Sequence, residues 1–352
     1  MRGSIRKRKE SYQVRWHLGE GRYKAKSFTR KKEAEKFLSQ VVSQVHEGTY
    51  REIKPINFEA FSNLWLKTHG PNLRESTYSL YEGMIRVHFA PFFGKSPLIT
   101  IGVDDIQRLL SVKGQTLSPA TVHSMRRILV KMFNHAKKWG YLKENPARET
   151  EPPQIPYREM SYLTPEEADK FISFLKENDP SYFCLFQTAL QTGLRLGELL
   201  GLKWEDIEAG VIRVKRQIHK GRISEPKSKR GMRQVPIPKA LEKALKEHKL
   251  ASRPSSEGWV FPSETGTPIN ERNLIRRHFE PALKASGVKK IRFHDLRHSY
   301  AAHLVAAGVH AKAIQEILGH ASIKTTLDCY GHLMPSAFSQ VAEALDKVHQ
   351  RV

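Results

Sequence analysis

Residues 145–160 read NPARETEPPQIPYREM, and this stretch governs how the chain can fold. Pro146, Pro152, Pro153 and Pro156 remove backbone donors and fix φ, so neither a helix interior nor a central strand can run through it. The 352 residues must therefore fold as separate parts on either side. A second polar stretch, REIKPIN at 51–57, reads as a linker and divides the first part again. The expected organisation is a small module over 1–54, a helical domain over 55–150, a linker over 151–160 and a larger domain over 161–352.

Hydrophobic periodicity fills in the parts. In 11–29, Tyr12, Val14 and Trp16 alternate with Gln13 and Arg15, which predicts strands, and GEG at 19–21 is a hairpin turn signal. Thr29 stands where it would cap a helix carrying Ala34, Phe37, Leu38, Val41, Val42 and Val45 on one face. Residues 58–145 read as almost wholly helical. One helix is expected over 77–89, ended before Pro91 and Gly94, and another over 103–110. A third is opened by Ser118 and Pro119, with Val122, Met125, Leu129, Val130, Met132, Phe133 and Ala136 on its apolar side. Beyond the linker, LTPEEADKFISFL has a Thr cap, a proline in the first turn and acids after it. Helices follow to about residue 206 and return from about 270. Between them, 211–218 and 234–237 are expected strands joined by a basic turn. The fold class is multidomain and mainly α: a three-stranded sheet plus helix, a helical domain, and a mainly helical C-terminal domain with a small β-sheet.

Charge bears on the partner. There are 59 Lys and Arg against 36 Asp and Glu, a formal net charge of +23, and such a surplus favours a polyanion such as double-stranded DNA. The surplus is densest in 1–54, with 15 basic and 6 acidic residues, yet all three parts are basic. Arg15, Arg22 and Lys24 interleave with aromatic residues on the expected strands, which suits a sheet laid in a DNA groove. Arg126, Arg127 and Lys131 lie off the apolar side of the helix after Ser118, where they either meet phosphates or form a solvated basic face. Two cysteines, Cys184 and Cys329, suggest no disulfide framework and fit a reducing cytoplasm. MRGSIRKRKE has no apolar run of a secretory signal, and no window is long and apolar enough to span a bilayer.

The stretch LGHASIKTTLDCYGHL, 318–333, concentrates reactive side chains. His320, Asp328, Cys329 and His332 are nominal metal ligands, but the two histidines do not pair with each other at helical i, i+4 spacing, and no CxxC exists. Cys329 is a nominal nucleophile, with His320 or His332 as its base. Tyr330 is the remaining candidate: a phenolic oxygen can attack phosphorus and store the bond energy as a phosphotyrosine ester, without a metal or cofactor. That chemistry needs fixed cations for the added negative charge, a base for the tyrosine and an acid for the leaving hydroxyl. TGLRLGELLGL, 192–202, offers Arg195 with Glu198 three residues on; FHDLRHSYAAHL, 293–304, offers His294 and Arg297 on one helical face; EPKSKRGMRQVPI, 225–237, offers Lys227 and Lys229 on a basic turn. Each alone has an ordinary reading as a salt bridge, a capping histidine or a solvated turn. Their conjunction and order carry the weight.

In that order, Arg195, Lys227, His294-x-x-Arg297, His320 and Tyr330, the sequence resembles the tyrosine recombinases of the phage-integrase family. The resemblance covers essentially the whole chain: 58–145 is similar to that family's helical core-binding domain and 1–54 to the arm-binding domain of lambda-like integrases. It implies Tyr330 as nucleophile, Arg195 and Arg297 as clamps on the scissile phosphate, and Lys227 as general acid, with Lys229 as its competitor. It implies His294 as a phosphate donor and base, His320 as a second phosphate donor, and Glu198 as support. It further implies a homotetramer on core and arm DNA sites, a DNA-bending accessory protein and an excisionase as partners, and a place on the nucleoid of a bacterial host. The amphipathic segment 334–345 would dock on a neighbouring protomer. A chromosome-dimer-resolving recombinase, a type IB topoisomerase and a DNA-binding regulator that never cleaves are the competing readings.

Overall fold

The structure, a computed structural model, describes residues 3–19, 22–47, 50, 53–156, 159–226, 229–252 and 255–334. The expected turn at 19–21, Lys227, and the segment after Met334 fall wholly or partly outside the described residues, as do the side chains of Arg22 and Lys229. The chain separates into two compact units, Met1–Tyr157 and Arg158–Val352.

The first unit opens with an antiparallel sheet of β1 (Gly3–Arg8), β2 (Ser11–Gly19) and β3 (Arg22–Phe28), in that spatial order. Alternation in the sequence did not mark β1, because Ile5 is its one apolar side chain; it is held by pairing Ile5 with Val14 across the ladder. Val14 and Trp16 turn toward α1 (Lys31–His46) and share a core with its Ala34 and Val41. Thr29 is not the cap of α1. The helix begins at Lys31, so Arg30 takes the cap position, makes no side-chain bond there and gives its carbonyl to the Ala34 N–H. The ladder register also separates two basic residues expected on one surface. Lys24 pairs with Trp16 and so lies on the helix-bearing face, whereas Arg15 lies on the open face, its guanidinium 4.4 Å from the Tyr23 ring.

The helical part of this unit holds a second core. It runs through α2 (Phe58–His69), α3 (Glu75–Met84), α4 (Ala90–Phe93), α5 (Val103–Gly114) and α6 (Pro119–Lys138), which bury Phe58, Phe61, Trp65, Phe89, Leu129 and Phe133. Asn57 caps α2 through the Ala60 N–H at 2.8 Å, and Ser118 caps α6 through Thr121 as its sequence signal requires. Pro91 does not end the helix that precedes it. A wide π turn, Ile85–Phe89, links α3 to α4, and Pro91 sits in the first turn of α4. Proline lacks the N–H for a regular helical bond, and a wider turn re-registers the ladder around the missing donor.

The second unit begins with α7 (Pro165–Asn178), closed at its start by a reciprocal cap. The Thr164 hydroxyl accepts the Glu167 N–H, and the Glu167 carboxylate accepts the Thr164 N–H. α8 (Pro180–Thr192) and α9 (Leu196–Leu200) follow. Among the described residues five short strands stand where a pair was expected: β4 (Ile207–Glu208), β5 (Val211–Val214), β6 (Gln217–His219), β7 (Arg222–Ser224) and β8 (Arg233–Pro236). β4, β5 and β8 form one sheet, and β6 and β7 form a separate hairpin turned by Lys220 and Gly221, both at positive φ. The basic turn thus follows a second hairpin rather than joining the sheet strands directly. α10 (Lys239–Ala251), α11 (Glu271–Leu274), a π turn at Ile275–Phe279 and α12 (Glu280–Ala285) repeat the proline device around Pro281. α13 (Phe293–Ala306), α14 (Ala311–Leu318) and α15 (Ile323–Tyr330) complete the described unit. Phe171, Phe186, Phe279 and Phe293 stack through its core at centroid distances of 5.3–6.1 Å. Emptying that stack by Phe171→Ala should cost about 3–5 kcal/mol. Removing the cap by Thr164→Ala should cost about 1 kcal/mol. Urea unfolding of both variants would check the order.

Candidate active site

Glu198 stands at the centre of the basic residues in the second unit. It lies in the first turn of α9, is 3% exposed, and has both oxygens occupied by donors. Its Oε1 accepts from Arg195 Nη1 at 2.7 Å and Arg233 Nη1 at 3.1 Å; its Oε2 accepts from Arg233 Nη2 at 2.9 Å and the Arg195 backbone N–H at 3.0 Å. Burial alone would push this carboxyl up, but the two arginines win and hold it down at about 2. Arg195 is the N-cap of α9, set by the left-handed turn at Gly193 (φ 61°), where a Cβ would come within 2.5 Å of the Tyr300 ring. Arg233 also donates to the carbonyls of Ile317 and Gly231.

Arg297 lies one helix away. It is buried on α13 and donates to the Gly193 carbonyl at 2.7 Å and to the Leu318 carbonyl. Its acidity is raised by burial and by the nearby charges of Arg195 and Arg233. His320 follows the left-handed Gly319 that ends α14 (φ 65°). It contacts Thr326 Oγ1 at 2.9 Å through Nδ1, and its carbonyl accepts from Gln315. His294 is on the first turn of α13, one turn before His298, with the two rings edge-on at 5.1 Å. Burial first, and then neighbouring charges (His298, Arg297 and Arg195 on His294; Arg297 and Arg195 on His320), lower both to about 4. Both are therefore neutral near pH 7 and offer N–H donors without titrating.

Tyr330 is the last residue of α15 and is 1% exposed, packed with Ala301, Val305, Ile314 and Leu318. Its hydroxyl bonds His298 Nδ1 at 2.8 Å. Burial pushes its proton affinity up while the Arg297 charge opposes that shift. Two guanidinium groups thus bond one carboxylate, and a third, Arg297, lies within the field of that carboxylate and of the buried phenol. A phosphate drawn to that excess charge would meet preorganised donors, the arrangement that stabilises added charge in a phosphoryl transition state.

Sequence reasoning named Arg195, Glu198, His294, Arg297, His320 and Tyr330, and the structure brings these six into one region. It missed two. His298 stands in HDLRHSYA at i+4 from His294, a spacing that puts both on one helical face. Arg233 opens a strand in GMRQVPI, where a charge two residues before an inward Val235, and so on the same strand face, was the available signal. Cys329 is half-buried and its thiol is pushed up by burial, away from thiolate chemistry. Among the described residues no three His, Cys, Asp or Glu side chains gather as a metal centre would require, and no helix is long and apolar enough to cross a membrane. In the first unit, Arg126 donates to the carbonyls of Thr150 and Arg148 at 2.8 and 2.7 Å, so it holds the chain that follows α6. Arg127 is exposed beside Ser124, and Lys131 reaches the Tyr81 hydroxyl at 3.4 Å.

The phage integrase family profile matches residues 161–336, and the phage integrase N-terminal SAM-like domain matches 57–113. The chain belongs to the phage integrase family, the tyrosine recombinases. Members of this family are DNA strand transferases. The chain is 30% identical to a tyrosine recombinase XerC-like protein of Caldanaerobacter subterraneus subsp. tengcongensis, over 97% of both chains. It is 29% identical to the ICEBs1 integrase of Bacillus subtilis, over 90% of both. Its fold is similar to that of the Tn1549 transposon integrase in complex with a circular intermediate DNA, with a TM-score of 0.72, 22% identity, and 83% and 99% of the two chains covered. A lambda integrase tetramer bound to a Holliday junction gives 0.62 at 20% identity, over 90% and 95%.

The buried ionisable groups predict two acid limbs. His294 and His320 have folded values of about 4 against an ordinary 6.5, so the unfolded chain binds protons first and stability falls as pH drops from 6.5 toward 4. Glu198, at about 2 against 4.5, contributes stability that is present above 4.5 and lost as pH falls toward 2. Denaturant unfolding against pH should show both limbs, and Glu198→Gln should flatten only the lower one.

Proposed function

We propose that this recombinase is the integrase of a phage or other mobile element and that it cuts and rejoins double-stranded DNA through a 3′-phosphotyrosine link at Tyr330. The observation that carries the reading is Arg195 and Arg233 held by one buried carboxylate, with Arg297 fixed nearby on the Gly193 and Leu318 carbonyls and in the field of a buried tyrosine hydroxyl. Arg195 and Arg297 clamp the scissile phosphate, with His294 and His320 donating to its oxygens. Lys227 serves as the acid for the leaving 5′ oxygen, with Lys229 as its competitor. Glu198 fixes Arg195. The domain division is 1–54 for arm-type sites, 55–150 for core sites, 151–160 as linker and 161–352 for catalysis. The name of the Bacillus integrase and the DNA complexes of the Tn1549 and lambda enzymes support the choice of an element integrase acting on DNA, and the lambda tetramer supports a tetramer on paired sites. A DNA-bending protein and an excisionase complete the partners, in the cytoplasm of a bacterial host.

A nicked duplex carrying the core sequence at the element's boundary traps a covalent adduct when the cut fragment diffuses away. Wild-type protein should form a denaturant-resistant adduct at Tyr330 in the presence of EDTA, and Tyr330→Phe should bind the same duplex without forming one. Arg195→Ala should slow the adduct at least ~10²-fold, the cost of losing one preorganised charge donor. Mass spectrometry locates the linked residue, and an adduct elsewhere would remove Tyr330 from the role. Binding should also weaken steeply with salt, with a log–log slope of about −0.9 per phosphate contact. Filter binding across a salt series reads that slope, and a flat response would contradict basic surfaces tracking the duplex.

A further inference from the structure

We infer that His298, rather than His294, is the general base that takes the proton from Tyr330 during strand cleavage and returns it during rejoining. The inference rests on the phosphotyrosine reading above and assigns a step within it.

The nucleophile is buried. With 1% of Tyr330 exposed, bulk water does not receive the phenolic proton. The hydroxyl oxygen lies 2.8 Å from His298 Nδ1, within the range for direct transfer, and it is the donor when the ring carries its proton on Nε2. His294 lies beyond His298, its ring edge-on to the His298 ring at 5.1 Å. In the step, the Tyr330 O–H bond breaks as the oxygen–phosphorus bond forms, and the proton passes to His298 Nδ1. The phosphorus–O5′ bond breaks, and the 5′ oxygen takes its proton from a separate acid, the role given to Lys227. Rejoining reverses each transfer.

The surroundings fit a base that starts neutral. The groups facing His298 are His294, Asp295, Arg292 and Arg297 from α13 and its cap, Tyr330 from α15, and His320 from the turn before it. Burial favours the neutral ring, and Asp295 is the one group on its own helix that favours the charged one. Asp295 is fixed by the Arg292 backbone N–H and guanidinium at 2.7 Å each, so a carboxylate is already oriented near the imidazolium that forms. The placement is also built into the helices. His298 follows Arg297 directly, so the side chain that anchors to the Gly193 and Leu318 carbonyls fixes the rotation of α13 that presents His298 to Tyr330.

The test uses the full-length protein on the nicked duplex under single turnover. His298→Asn keeps an oxygen acceptor near the Nδ1 position but has no titrating nitrogen. It should slow adduct formation at least ~10²-fold with DNA affinity unchanged. Difluorotyrosine at position 330, whose phenol gives up its proton more readily, should recover ~10-fold or more of that loss. A wild-type rate in His298→Asn overturns the inference, and so does a loss that difluorotyrosine leaves untouched, because a packing role would not respond to nucleophile acidity. A measurement without DNA stands apart from the strand-transfer reading. Long-range 1H–15N spectra of the free protein should show His298 protonated on Nε2 only, with its Nδ1 signal shifted in Tyr330→Phe. An Nδ1–H tautomer would overturn the inference whatever the adduct assay gives.

Discussion

The site depends on one buried carboxylate. Taking Glu198 out of water costs several kcal/mol unless its charge and lone pairs are met, and here four N–H donors from Arg195 and Arg233 meet them. The consequence is geometric. Glu198 ties the start of α9 to the start of β8, and Arg233 carries the tie on to the Ile317 carbonyl at the end of α14. Arg297 makes a parallel tie, from the Gly193 carbonyl before α9 to the Leu318 carbonyl. Two arginines thus stitch the turn that presents Arg195 to the turn that presents His320. The stitching also explains the tight turn at Gly319, where a Cβ would fall 2.8 Å from the Arg230 carbonyl and 2.9 Å from Arg233 Cδ.

The difference between Arg195 and Arg297 follows from the same network. Arg297 is almost wholly buried and donates to carbonyls, whereas the Arg195 side chain is 38% exposed and anchored at one end by Glu198. One cation is part of the framework; the other leans from the framework toward solvent. A guanidinium has five N–H donors in a fixed fork, so an arginine can brace protein backbone with some and still present others to an oxyanion.

How much of this was legible in the sequence varies with the range of the interaction. Local signals read well: Thr164 with Glu167, the Ser118 cap with the Thr121 N–H, and Arg195 with Glu198 are contacts three residues apart, and all three form. Spacing over one helix turn was readable but was used only in part: His294 and Arg297 were paired, while His298, one turn from His294, was passed over although it contacts the Tyr330 hydroxyl. Contacts between distant segments were illegible. Nothing local says that Arg233 reaches Glu198 35 residues away, or that Arg126 is taken up by the carbonyls that follow α6. Two rules misfired for physical reasons. Pro91 was read as a helix end, but the π turn before it absorbs the missing donor, as another does before Pro281. Alternation located β2 and missed β1, because an edge strand with one inward side chain carries no alternating pattern to detect.

The charge layout separates two tasks that a single residue type would confuse. Arginines keep their protons at any working pH, so they stabilise charge but move no protons. Histidines can move protons, but only if they are neutral when the reaction starts, and a cluster of cations is where a neutral imidazole is favoured. Burial, and then the charges of Arg297 and Arg195, keep His294 and His320 neutral. A phosphate seated among the guanidinium groups brings negative charge that offsets the second of these causes and leaves the first. Substrate would therefore raise the proton affinity of the histidines that face it, strengthening their hydrogen bonds to its oxygens as charge builds on phosphorus. The cations that attract the phosphate and the neutral rings that grip it are thus coupled through one field, and Glu198 sets its strength by neutralising one of the three guanidinium charges and no more.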